Sequence, residues 1–326
     1  MDKKKLPWLV LVSILLILPW TTDRSYYQHL FNMAIVYAIL AVGLNFCIGL
    51  TGIMSIAQGA FWGIGAYTSA ILTVRWGLPF WVGLPASALV AAIIGMVLGL
   101  PCLRVSGLYL SMVTIGFAEL VRLVLWNWDK VTRGSFGIVG IPSPVLGPWQ
   151  LDTPRSYYYL SLFIAGALVA AAVRIQHSRT GRAMLAIRED ELAALCMGIN
   201  VPRYKTLAFM LSAAYGGIAG SIYAHFVQYI NPDMYTFPEA VKQISMVVLG
   251  GAGSVPGVIL GSTIVVLLPE WLRFLQEYYM AVYGLGVVLI IRYMPGGLIQ
   301  ILQTRFWFLT ETLPAGESGA RGMDEN

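Results

Sequence analysis

Leu30-Phe31-Asn32-Met33-Ala34-Ile35-Val36-Tyr37-Ala38-Ile39-Leu40-Ala41-Val42-Gly43-Leu44-Asn45-Phe46-Cys47-Ile48-Gly49-Leu50 contains no Asp, Glu, Lys or Arg. A helix needs about 20 apolar residues to cross the hydrocarbon core of a bilayer, so this stretch predicts a transmembrane helix. Comparable runs occupy 6–22, 57–74, 80–100, 106–126, 156–173 and 206–228. A broken pair follows at about 238–250 and 255–272, and a last run at about 278–294. Hydrophobic residues make up 58% of the 326-residue chain and charged residues 11%, with a mean hydropathy of +0.72. Soluble domains carry about 25% charged residues, so most of this surface must face lipid. The expectation is an all-α polytopic membrane protein of about ten transmembrane helices. Residues 1–300 would form one transmembrane domain and 301–326 a flexible cytoplasmic tail.

Flanking residues fit the same picture. Trp8, Trp20, Trp76, Trp81, Trp126 and Trp128 fall near span ends, where aromatic rings prefer to sit. Lys3, Lys4 and Lys5 precede the first run, which lacks a small-x-small cleavage site and reads as a retained anchor. Basic residues mark the cytoplasmic side. The N-terminus is therefore expected inside. Counting spans puts 174–205 inside too, where Arg174, Arg179, Arg182, Arg188, Arg203 and Lys205 sit, and puts 229–240, with Asp233 and Glu239, outside.

Two glycine-rich regions depart from plain spans. One runs from Gly49 to Tyr67 and includes Thr51, Gly52, Ser55, Gln58, Gly59 and Gly63. The other runs from Gly250 to Gly261 and includes Gly253 and Ser254. Each pairs a glycine-serine turn with glycines four residues apart, which let another helix approach closely. Such turns free backbone groups that lipid cannot satisfy, so they belong inside protein or beside a water-filled cavity, and paired breaks point to a transport path. Tight packing without a conduit is the plain alternative. Candidate path residues are Asn45, Thr51, Ser55, Gln58, Gly59, Gly63, Glu119, Gly250, Gly253 and Ser254. Glu119 and Arg122 are spaced to pair on one helix face; they are either functional at membrane depth or snorkelling at the outer interface. The external 129–148 stretch reads as a loop by its glycines and Pro142, suited to a gate or a docking surface.

Residues 178–202 form the longest polar insertion. Glu189 to Glu191 are expected to open a short helix with favourable charge at its start. Ala193, Ala194 and Leu195 would continue it, with Gly198 or Asn200 ending it and Pro202 preventing extension. The result would be a helix with small residues on one side, fit to dock in a partner's groove or to serve as a surface connector.

At these residues the chain resembles a known family. Glu191-x-Ala193-Ala194-x-x-x-Gly198 resembles the coupling loop of ABC importer permeases. The branched-chain amino acid permease family of the LivM type is resembled more specifically by Gly43-Leu44-Asn45 with Gly49-x-Thr51-Gly52-x-x-Ser55 and Phe61-x-Gly63-Ile64-Gly65-Ala66-Tyr67-Thr68. Further matching words are Arg104-x-x-Gly107-Leu108-Tyr109, Phe117-Ala118-Glu119-x-x-Arg122, Gly181-Arg182-Ala183-x-x-Ala186-Ile187-Arg188-Glu189-Asp190-Glu191 and Val248-Leu249-Gly250-Gly251-x-Gly253-Ser254. Arg133, Phe136 and Gln58 depart from the usual residues. The resemblance implies an ABC importer permease of the prokaryotic inner membrane, moving branched-chain amino acids by alternating access. It implies partnership with a second, related permease, two cytoplasmic ATPases and an extracytoplasmic solute-binding protein. ATP coupling would fall to Gly181, Arg182, Arg188, Glu189, Glu191, Ala193, Ala194 and Gly198.

Other features bound the alternatives. No lysine follows a glycine, so the GxxxxGK[ST] phosphate loop is missing; no cofactor is expected on this chain, and ATP and Mg belong to partner subunits. Cys47, Cys102 and Cys196, and His29, His177 and His225, are scattered without metal or disulfide spacing, which argues against an embedded enzyme. The net charge of +5 leaves no nucleic-acid footprint. A urea or short-amide permease of the same family remains open, as does an ion-coupled secondary transporter.

Overall fold

A computed structural model describes residues 18–20, 25–102, 107–146, 149–271, 284–285 and 297. The runs at 6–22 and 278–294, the Lys3 to Lys5 cluster and the 301–326 tail lie outside these, apart from Leu18–Trp20 and 284–285. The helices are α1 (Ser25–Asn45, prolonged by a π-helical turn Phe46–Leu50), α2 (Gln58–Trp76), α3 (Phe80–Cys102), α4 (Leu108–Asn127) and α5 (Pro154–His177). They continue with α6 (Arg179–Glu189), α7 (Glu191–Cys196), α8 (Val201–Val227), α9 (Phe237–Gly250) and α10 (Val255–Trp271).

Among the described residues, five segments are long and apolar enough to cross a membrane: 25–50, 80–100, 109–127, 154–177 and 201–227. They match five of the expected spans. α2 has 19 residues, but Gln58, Thr68, Ser69, Thr73 and its glycines lower its hydropathy. α9, with 14 residues, and α10, with 17, are short. The most apolar window of α1 is 83% buried and that of α4 only 17%, so α1 is central and α4 peripheral. α8 packs along α3, α2 and α1. Gly65 and Gly217 allow the α2–α8 approach, since a Cβ on Gly65 would strike the Gly217 backbone.

Local chemistry sets the ends. Thr153 accepts from Ser156 N at 3.3 Å and Pro154 opens α5, where a missing N–H costs nothing. Gly77, at φ 64°, closes α2 with its N–H on Leu72 O. The helix ends gather at two faces. At one, which we call the loop end, Gly49, the Gly251–Gly253 turn and α6 meet. At the far end the 129–150 connection folds over α2, α3 and α8. There Arg75 Nη2 donates to Lys130 O at 2.5 Å and Trp81 Nε1 to Val145 O at 2.9 Å. The expected loop therefore contains a helical turn, Asp129–Thr132, and strand β1 (Ile138–Val139). Strands β2 (Val145–Leu146) and β3 (Trp149–Gln150) pair with each other; β1 pairs antiparallel with β4 (Tyr229–Ile230), Ile138 opposite Ile230.

His225 fastens this cap. It is buried, its Nδ1 lies 2.7 Å from Pro142 O and its Nε2 lies 3.0 Å from Ser69 Oγ, which accepts from Ser221 Oγ at 2.8 Å. A carbonyl only accepts, so Nδ1 carries the proton. Replacing His225 with alanine is expected to loosen the cap by about 1–2 kcal/mol. Amide exchange at 138–143 should quicken roughly tenfold; unchanged exchange would show that the cap is held elsewhere.

Register fixes the depth of two helix starts. Gln58 Nε2 donates to Leu40 O at 3.2 Å and to Ser212 O at 3.3 Å. At 1.5 Å per residue, Leu40 lies about 15 Å before Leu50, and Ser212 about 16 Å after Val201. α2 therefore begins near mid-membrane, reached from the loop end by the non-helical 52–56 segment. That segment runs beside α4: Ser111 Oγ donates to Met54 O at 3.1 Å and Ile56 N to Thr114 Oγ1 at 3.1 Å. α9 approaches from the opposite side. It rises about 21 Å from its loop-end turn, and its first residues also reach mid-depth, with Gly59 facing Ala240 and Gly63 facing the Tyr235 ring.

Candidate functional site

At the loop end, both glycine turns and the polar insertion converge. Arg188, near the close of α6, donates from Nη1 to Gly49 O at 2.5 Å and to Ala252 O at 3.3 Å. Buried Asn45 accepts the Gly253 N–H at 2.9 Å through Oδ1, and Gln176 Nε2 donates to Gly253 O at 2.8 Å. Gly49 must be glycine at this closeness, because a Cβ would overlap the Asn45 amide. Gly253, at φ 96°, holds a backbone shape that side chains resist. One guanidinium thus ties the insertion to two turns separated by about 200 residues of chain.

The insertion is built differently from the single short helix its sequence led one to expect. Asp190 has extended backbone, φ −155° and ψ 115°, and its side chain accepts from Leu192 N at 2.8 Å and Ala193 N at 3.0 Å. It caps α7, so Glu189 ends α6 rather than opening the next helix. Pro202 does not merely block extension either. It sits in the first turn of α8, behind the Asn200 cap that accepts from Arg203 N at 3.2 Å. Ala194 faces inward with Ile187 and Val201. The outward face carries Leu192, Leu195 and Met197, 76%, 56% and 82% exposed, so large apolar residues accompany the small ones there. Lys205 Nζ meets Glu191 Oε2 at 2.6 Å and pins α7 to α8.

The remaining coupling candidates are spread around this core. Gly181 is buried in the first turn of α6, Arg182 is exposed with Nη1 3.1 Å from His177 O, Ala193 is exposed and Gly198 makes an exposed turn at φ 81°. The path candidates fall into two groups. Asn45, Thr51, Gly250, Gly253 and Ser254 gather at the loop end, with Thr51 Oγ1 donating to Cys47 O at 2.8 Å. Ser55, Gln58, Gly59, Gly63 and Glu119 lie toward mid-depth. Gln58 is held on both its amide atoms, since Ser212 Oγ donates to Oε1 at 2.7 Å. Glu119 accepts from Arg122 Nε at 3.1 Å and Nη2 at 2.6 Å, and Arg122 Nη1 lies 3.7 Å from Asp233 Oδ1. Gln176, Ala252 and Tyr235 were not candidates. Gln176 lies between Arg174 and His177, where nothing in the residue order marks one polar side chain from its neighbours.

A family model described as branched-chain amino acid transport system / permease component matches residues 26–291. The chain belongs to this family. The permease is similar to the high-affinity branched-chain amino acid transport system permease protein LivM of Salmonella typhimurium, 36% identical, over 91% of this chain and 75% of that one. It is 35% identical to LivM of Escherichia coli over the same shares. LivH of Salmonella typhimurium is 29% identical over 73% of this chain and 82% of its own. No solved structure matches. The permease is a multi-pass membrane protein, and its relatives are transport permeases rather than enzymes.

Proposed function

We propose that this chain is one permease subunit of an ATP-driven ABC importer for branched-chain amino acids, working by alternating access. The Arg188 tie carries the proposal. A partner moving α6 and α7 pulls directly on the Gly49 turn that leads to α2 and on the Gly251–Gly253 turn that joins α9 to α10. Two cytoplasmic ATPases holding ATP and Mg would supply that movement, a solute-binding protein the amino acid, and a second, LivH-like permease the other half of the path. The loop end is then cytoplasmic. Arg174, Arg179, Arg182, Arg188, Arg203 and Lys205 cluster there, as the positive-inside rule requires, and a single crossing by the 6–22 run would put the N-terminus on the same side. A bilayer would close over the exposed faces of α3, α4 and α5.

Coupling demands that the ATPase grip the loop differently in its two states, because equal binding would shift nothing. Charge-assisted hydrogen bonds contribute about 1.5–3 kcal/mol. Arg188→Ala is therefore expected to lower leucine uptake by proteoliposomes of the whole assembly roughly tenfold while ATP hydrolysis continues. Parental uptake in that variant would count against the proposal. Uptake that survives ATPase inhibition and collapses with an ionophore would replace it with an ion-coupled carrier.

A further inference from the structure

The starts of α2 and α9 face a common cleft near mid-membrane, lined by Ile56, Gly59, Ile115, Glu119, Tyr235 and Phe237 among others. Neither helix has a side-chain cap at its start, and uncapped helix starts carry partial positive charge and directed N–H groups. At α9, Pro238 supplies no N–H and Glu239 stands in the first turn, so the start of α2 is the freer of the two. Tyr235, 4% exposed, lines the same cleft, and its hydroxyl is without a hydrogen-bond partner among the described residues. Glu119 stands at the rim with its side chain 45% exposed. Arg122, which holds it, already reaches a second carboxylate, Asp233, at 3.7 Å; it can release Glu119 and keep a counter-ion. The other walls, Ile56, Ile115 and Phe237, are apolar.

We propose that this cleft is the intramembrane amino-acid site. The substrate carboxylate would sit at the start of α2 and on the Tyr235 hydroxyl, its ammonium on Glu119, and its side chain on Ile56, Ile115 and Phe237. The assignment rests on the importer function proposed above. Helix starts aimed at a buried site suit an anionic group, and one adjacent carboxylate completes a zwitterion's needs. The cleft encloses about 20 Å³ in this structure, room for one water, so leucine enters only when its walls part. Both walls lead back to the Arg188 tie: the 52–56 segment leaves from beside it, and α9 ends at Gly250. The movement that delivers ATP energy therefore opens and closes the site itself.

The test uses the whole assembly in membranes, with Cys47, Cys102 and Cys196 replaced by serine. Ile115→Cys and Ala118→Cys, both in the cleft, and Phe136→Cys, exposed in the far-end connection, are reacted with a small methanethiosulfonate during ATP-driven turnover. Leucine is expected to slow modification at the two cleft positions at least fivefold and to leave Phe136→Cys unchanged. Adding Glu119→Gln should raise the leucine concentration for half-protection at least tenfold, which a purely structural Glu119 would not do. Equal rates with and without leucine, in an assembly that imports leucine at the parental rate, would overturn the site and leave the importer standing. Failure of the cysteine-bearing parent to import leucine under ATP would overturn the importer, and the site with it.

Discussion

With Leu192 and Leu195 both changed to aspartate, leucine uptake is expected to fall to background and the ATPase subunits to stop co-purifying with the permease. These side chains stand 76% and 56% exposed on a helix otherwise fixed by Asp190, Ala194 and the Lys205–Glu191 pair. Burying a leucine contributes about 1.5–3 kcal/mol, and burying an unpaired carboxylate in its place adds a further penalty. Two such changes at the centre of a contact amount to at least about 5 kcal/mol, a loss of more than a thousandfold at about 1.4 kcal/mol per factor of ten. The permease itself should fold normally, because neither side chain belongs to its core. A pull-down that still recovers ATPase from the double variant would place the docking face elsewhere.

Gly49→Val acts on the other side of the same tie, and its expected effect is on the fold as well as on transport. A Cβ at Gly49 would occupy the place of the Asn45 amide, so the Asn45–Gly253 hydrogen bond must break or α1 must shift. Overpacking a close contact costs about 1–3 kcal/mol, and a buried amide without its partner adds about 1–3 kcal/mol. The purified variant is expected to unfold several degrees lower than the parent, with uptake abolished in whatever fraction remains folded. Normal melting with normal uptake would show that the two turns need not touch.

Much of this architecture was legible in residue order. Hydropathy located the five long spans because lipid sets their length, and counting spans set the basic 174–205 segment on the side opposite 229–240. The depth of α2 was not legible. A run such as 57–74 reports how apolar a helix is, and only the bonds from Gln58 to Leu40 and Ser212 show that it starts halfway across. Arg188 could be named as a coupling residue from its surroundings, but its acceptors are backbone carbonyls at Gly49 and Ala252, which any residue supplies and no pattern marks. Asp190 was hidden between two glutamates of equal charge. What distinguishes it is a shorter side chain, able to turn back onto Leu192 and Ala193 where glutamate overreaches.

The opposed starts of α2 and α9 bear on the electrical integrity of the cell envelope. The start of α2 presents roughly half a positive elementary charge near mid-depth, where little water is present to screen it, while Glu239 in the first turn of α9 offsets part of the other. Protons and sodium ions approaching from either side would climb an electrostatic barrier of the kind that keeps cations out of other half-helix pores. For the importer proposed above, the membrane is therefore expected to hold its voltage through each cycle of opening, with uptake drawing on ATP and not on the ion gradients.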